Sequence, residues 1–269
     1  KTFERRRASS DGGQGISQVE LEEYVDSFLE ELASKREETV LQRQVIHSFD
    51  GTPLSVFDTG PQDGPTIVLV NAFGMPWEFM KPLASRLKPN HRVITWETRG
   101  SPSLAGGFNE ETATLESHAK DLNRILETLA TGPVHLVGWC TGAPLSLVFQ
   151  QQYPNACASL VSLNGAFPFG GRYPLSEFQN SIVDIMPRAA VSPIAAAMYH
   201  KLIFSGAAAT QKATAEDGQQ VSGLLGAIDP ELVHLASVPF RTSQALYRYA
   251  IQLTNFFATM KDWTPPTPE

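Results

Sequence analysis

The sequence predicts an α/β protein, a doubly wound and mostly parallel sheet with helices on both faces and an inserted helical cap. Three observations carry that expectation. Short apolar runs at 66–70, 92–96, 134–137 and 158–163 alternate with stretches of helical period. A hairpin pattern precedes the first run, and beyond Ala166 the alternation gives way to a long Ala-rich stretch of helical pattern without a buried strand. With 269 residues, 42% of them hydrophobic, the chain can bury such a core.

Residues 1–15 read as a solvated tail, in which Lys1, Arg5, Arg6 and Arg7 lead into a polar, Gly-rich stretch. Over 16–40 an amphipathic helix is expected, because Ser17 and Glu20 have capping-box spacing and Leu21, Tyr24, Val25, Phe28 and Leu32 recur at helical intervals. The first part of the α/β core is expected over 41–172. It opens with β-prone runs at 44–49 and 53–59, split by Asp50-Gly51 into a hairpin. The continuous apolar run at 66–70 suits a strand buried on both faces, and Phe79, Met80, Leu83 and Leu87 place a helix over 77–87. After the strand at 92–96 and a polar loop over 97–110, Leu115, His118, Leu122, Ile125, Leu126 and Leu129 form one helix face that ends at Gly132-Pro133. A strand at 134–137, a helix at 144–153 and a strand at 158–163 complete the pattern. The cap is expected over 173–263. The large apolar groups Phe167, Phe169, Tyr173, Phe178, Met186, Ile194, Met198, Tyr199 and Phe204 are expected mostly to pack it, the remainder lining an apolar pocket. The Pro-rich segment 264–269 reads as a connector.

Charge narrows the function classes. With 21 Lys+Arg against 28 Asp+Glu, the net charge of −7 opposes binding to a phosphate backbone. Cys140 and Cys157 make no disulfide framework and stand in no metal-ligand spacing, so no metal or cofactor is expected and a reducing, cytoplasmic setting is. No run approaches the ~20 apolar residues of a membrane span.

The chemistry is carried by Gly138-Trp139-Cys140-Thr141-Gly142, a Gly-x-Cys-x-Gly between a predicted strand and a predicted helix. A nucleophile is thrust above a sheet only by a sharp turn, and glycines two residues to either side leave room for it. The thiol then sits at a helix N-terminus, whose amides favour the thiolate. Cys157, near a strand start, reads as a core cysteine.

From about 44 to 166 the chain resembles the first half of the α/β-hydrolase fold: the hairpin, the strand at 66–70, the loop Asn71-Ala72-Phe73-Gly74 and the elbow stand in the family's order. The resemblance implies an oxyanion hole formed by the backbone amides of Phe73 and Thr141, although Asn71 and Ala72 replace the common His and Gly. A cysteine in place of serine resembles variants among thioesterase domains of polyketide and peptide synthases, polyhydroxyalkanoate synthases and dienelactone hydrolases. It implies acyl transfer or thioester hydrolysis on a hydrophobic acyl thioester, presented on a carrier protein of a biosynthetic assembly line. A non-catalytic binding domain and an ester or lactone hydrolase are the alternatives.

The family's acid and histidine follow its seventh and eighth strands, which are expected beyond residue 269, so the chain reads as truncated before them. Some synthase thioesterases carry the acid after the sixth strand, where Asn164 stands here, either to orient an imidazole or simply as a turn residue. In the cap, His200 and His234 are candidate bases; His47, His91, His118 and His135 read as structural or exposed. Glu97 and Arg99 border the same crevice and read as an ordinary loop ion pair.

Overall fold

The structure, a computed structural model, describes residues 41–101, 108–129, 131–167, 177–202 and 234–263. The expected tail, the helix over 16–40 and the 264–269 connector lie outside the described residues, as do Phe169, Tyr173 and Phe204.

Among the described residues six strands form one sheet: β1 (Gln42–His47), β2 (Pro53–Asp58), β3 (Thr66–Val70), β4 (Arg92–Trp96), β5 (Val134–Trp139) and β6 (Cys157–Leu163), in the spatial order β1-β2-β4-β3-β5-β6. β1 and β2 pair as an antiparallel hairpin with Gln44 opposite Val56, and β2 joins β4 antiparallel. The pairs β4–β3, β3–β5 and β5–β6 are parallel. The two-residue period of β3 divides the core between the faces of the sheet. Val68 and Val70 enter the larger cluster with Ile94, Leu136, Leu145 and Phe149, whereas Ile67 and Leu69 join the smaller one with Val93, Met80 and Ala84.

The smaller cluster is covered by α1 (Lys81–Leu87), which follows a 3-10 turn over Trp77–Met80. The larger is covered by α2 (Leu115–Thr128) and α3 (Gly142–Gln152). α2 starts where Thr114 accepts a hydrogen bond from the Ser117 N–H at 3.2 Å, an N-cap that satisfies an otherwise orphaned donor. Beyond the sheet come α4 (Glu177–Ala189), a helix over 193–202 and α5 (Ser243–Asp262). Met186 and Ala189 of α4, and Leu246, Ala250, Leu253, Phe256 and Met260 of α5, belong to the same cluster as the sheet. The helices of the expected cap region thus pack into the main core. At the far side of the sheet, β6 leaves Val161 and Leu163 exposed.

Arg99 ties three elements together. Its guanidinium donates to Asp121 of α2 through Nε at 2.8 Å and through Nη2, and to Asp50 of the β1–β2 turn at 2.8 Å. The Thr112 hydroxyl accepts from it at 2.8 Å, and the Ser48 hydroxyl donates to Asp121. The expectation of an ordinary Glu97–Arg99 loop pair is corrected: Arg99 is 2% exposed and Glu97 4%, and the partners of Arg99 are Asp50, Asp121 and Thr112. The sequence separates these groups by up to 71 residues (50 to 121), so only the packed fold could pair them. Burial works against the charge on Arg99, but Asp121 and Asp50 outweigh it and hold its pKa above the ordinary value. Arg99→Met should leave Asp121 buried and uncompensated and destabilise the fold by about 3–5 kcal/mol, read as a lowered midpoint in urea unfolding.

Candidate active site

The site is built at the carboxyl end of β5. The strand runs two residues further than its apolar pattern, because Gly138 and Trp139 pair with Ser162 and Leu163 of β6. α3 begins at Gly142 rather than 144, directly after the turn. Both glycines are required by close backbone approach. A Cβ on Gly138 would lie 2.6 Å from the Ala143 Cα, and one on Gly142 2.1 Å from the Val70 carbonyl oxygen. Between them Cys140 adopts φ +52°, a left-handed conformation that costs an L-residue of order 1–2 kcal/mol. Backbone bonds hold it there: the Cys140 N–H donates to Leu163 O at 3.1 Å, and its carbonyl accepts from Ala143 at 3.2 Å and Ala166 at 3.0 Å.

The nearby Thr141 backbone amide lowers the Cys140 thiol pKa, yet burial has the larger effect and pushes it up. This corrects the expectation of a favoured thiolate. One helix-terminal amide does not offset desolvation where, among the described residues, no cation faces the sulfur.

The loop after β3 supplies the second amide. The Phe73 N–H donates to Thr141 Oγ1 at 3.0 Å, so the structure brings together Cys140, Thr141 and Phe73. For an oxyanion to take this donor, the Thr141 hydroxyl has to rotate away. Asn71, which stands where the family commonly has His, shapes the loop: its Nδ2 donates to Pro76 O at 3.0 Å and its Oδ1 accepts from Ala72 N at 2.9 Å. Gly74 turns the chain at φ +70° with its N–H on Thr98 Oγ1 at 3.3 Å. The Phe73 ring is stacked on His118, centroids 4.5 Å apart and planes at 17°, and meets Phe256 edge-on at 5.8 Å.

Sequence reading missed the contribution of α5. Tyr249 lies over the same loop, its Cδ2 3.2 Å from where a Gly74 Cβ would stand, and burial raises its phenol pKa, as does the charge that Cys140 carries once it ionises at high pH. Phe256 and Gln252 come from the same helix. The only sequence signal for these residues was helical period, which does not say which element a helix will face.

Asn164 follows β6 at φ +46° and is exposed, beside the Leu163 and Ala166 groups that bond the Cys140 backbone. Its carboxamide has no partner among the described residues, and no imidazole stands against it there. His234 is exposed, its carbonyl accepting from Ser237 and Arg241, and His200 is half-buried in the 193–202 helix. Neither interacts with the Cys140 thiol among the described residues. Of the apolar groups expected over the elbow, Met186 is buried and Phe167 and Tyr199 pack on the main core. Ile194 is 74% and Met198 69% exposed. Cys157 is half-buried and packs against the main core, its thiol on Ser159 O at 3.4 Å. Among the described residues no cluster of three His, Cys, Asp or Glu could hold a metal, and no helix is long and apolar enough to cross a membrane.

Residues 65–190 match the family of the α/β hydrolase fold, and the strand order and elbow agree with it. The chain has the α/β-hydrolase fold. It is 33% identical over 113 residues to RutD of Variovorax paradoxus, 42% of each chain, and 31% identical over 105 residues to 3-oxoadipate enol-lactonase 1 of Acinetobacter baylyi, 38% of each. It thus spans less than half the length of these curated relatives. Among solved structures, the haloalkane dehalogenase DbeA of Bradyrhizobium elkani superposes with a TM-score of 0.60 at 12% identity, over 82% of this chain and 73% of that one, a likeness of fold.

Because the thiol pKa is raised, Cys140 is a neutral thiol at neutral pH and its thiolate fraction grows about tenfold per pH unit until that pKa is reached. Iodoacetamide alkylation at Cys140, followed by mass spectrometry, should therefore keep rising with unit slope through the ordinary thiol range. A plateau near neutral pH would mean that a cation reaches the sulfur.

Proposed function

We propose that this chain performs acyl transfer or thioester hydrolysis through a Cys140 acyl-enzyme, on a hydrophobic acyl thioester presented by a carrier protein. The observation that supports this most is the strained Cys140 at the strand-to-helix turn, with the Phe73 amide 3.0 Å from the hydroxyl of the adjacent Thr141.

The chemistry runs as follows. The Cys140 sulfur, deprotonated, forms a bond to the thioester carbonyl carbon, and the carbonyl oxygen takes the electron pair as an oxyanion that the Phe73 and Thr141 amides can hold. Collapse breaks the bond to the leaving thiolate, which recovers the proton lost from Cys140. One thioester replaces another of similar basicity, so the acyl group moves with little change in free energy and stays activated. Release to water or another acceptor requires a base. Among the described residues no imidazole stands at the sulfur, so deacylation is the slow step of this reading.

Incubation with a medium-chain acyl thioester should give a burst of about one acyl group per Cys140 and then slow turnover, detected by intact-protein mass spectrometry. Cys140→Ala should abolish the burst and keep the fold. The 31% identity to the enol-lactonase favours a second reading, ester or lactone hydrolysis at the same site. Faster acylation by the matching oxygen ester than by the thioester would select it, and no acylation by either would make the site a binding site.

A further inference from the structure

A backbone amide serves an oxyanion only where its loop is held, and nothing in the Phe73 main chain alone fixes the direction of its N–H. The loop is fastened at its ends by Asn71 and by the Gly74 bond to Thr98. In the middle it is fastened by the Phe73 N–H bond to Thr141 Oγ1 and by the Phe73 ring, which is 1% exposed between the face of His118 and the edge of Phe256.

His118 stands out for what it lacks. It is 1% exposed, and neither ring nitrogen has a hydrogen-bond partner among the described residues. The Asp121 carboxylate is 4.0 Å from Nδ1, and its oxygens are already engaged by Arg99 and Ser48. Gln252 of α5 approaches without hydrogen-bond geometry, its own Oε1 also unpartnered. Burial first, and then the Arg99 charge, bring the imidazole pKa down to about 3, so the ring stays uncharged at neutral pH. A buried polar ring that makes no hydrogen bonds is costly to keep for packing alone. The best-defined contact of the ring is its nearly parallel stack on Phe73.

We infer that His118 is a positioning residue for the oxyanion hole: stacked on Phe73, its ring holds the loop so that the Phe73 amide faces Thr141. His118 itself touches no reacting atom. It is anchored through α2, which Asp121 fastens to Arg99 one turn further on, so the buried ion network and the oxyanion loop meet at this ring. The inference rests on the proposed acyl chemistry.

Two reactions of Cys140 separate positioning from mere packing. Acylation by a thioester passes through an oxyanion, whereas iodoacetamide alkylation displaces iodide directly and forms none. In the full 269-residue chain, His118→Leu, which keeps volume and removes the flat face, should slow the acylation burst about tenfold or more while alkylation stays within about twofold. His118→Phe restores the face without the unpartnered nitrogens and should acylate within about threefold of the parent. Phe73→Leu removes the same stack from the other side and should reproduce the leucine result, which keeps the test decisive if His118→Leu does not fold by circular dichroism. A folded leucine variant that acylates like the parent, a phenylalanine variant as slow as the leucine one, or a parallel fall in alkylation would each overturn the assignment. Failure of the parent to acylate at all would remove the proposed function and this inference with it.

Discussion

The approach of the α3 N-terminus to the ends of β3 and β5 is the constraint on which the site depends. Gly142 lies so close to the Val70 carbonyl that a Cβ there would stand 2.1 Å from the oxygen, and Gly138 leaves no more room beneath Ala143. With the helix seated that tightly, the single residue that lifts away from the sheet is Cys140, forced into φ +52°. The strain is local, and the backbone bonds that hold it come from two places, Ala143 at the start of α3 and Leu163 and Ala166 at the end of β6. The same approach brings Thr141 against the loop after β3, so the proposed nucleophile and the proposed oxyanion donors follow from one packing contact.

Around that contact the polar groups divide by what burial does to them. Arg99 keeps its charge in the interior because Asp50 and Asp121 face it, an arrangement in which each partner makes the others tolerable. Cys140 has no such counter-charge among the described residues, and burial keeps its proton on. The candidate nucleophile therefore gains its orientation from the fold but not its ionisation. Any base that activates it has to come from a group that the described residues do not bring there.

α5 changes how the cap region is to be understood. Leu246, Ala250, Leu253, Phe256 and Met260 recur at three- and four-residue intervals and sit in the sheet's own core, with Tyr249 on the flank that reaches the loop after β3. One helix thus stabilises the core and shapes the site at once. A substitution on its inner face would be felt in both stability and reactivity.

The sequence by itself determined the fold and the elbow, because both are written in local patterns. Alternating apolar runs bounded by turn residues placed β3 and β4 at their observed limits, and the hairpin and α2 to within two residues or so. A Gly-x-Cys-x-Gly between strand and helix marked Cys140 because the turn demands those residue types at that spacing. Only the tertiary structure decided the rest. Phe73 meeting Thr141 across 68 residues, Arg99 reaching Asp50 and Asp121, and His118 lying flat on Phe73 are contacts between elements whose own periodicity is silent about their neighbours. The thiol's ionisation was misjudged for the same reason: a helix N-terminus is visible in sequence, whereas the burial that outweighs it is a property of the packed whole.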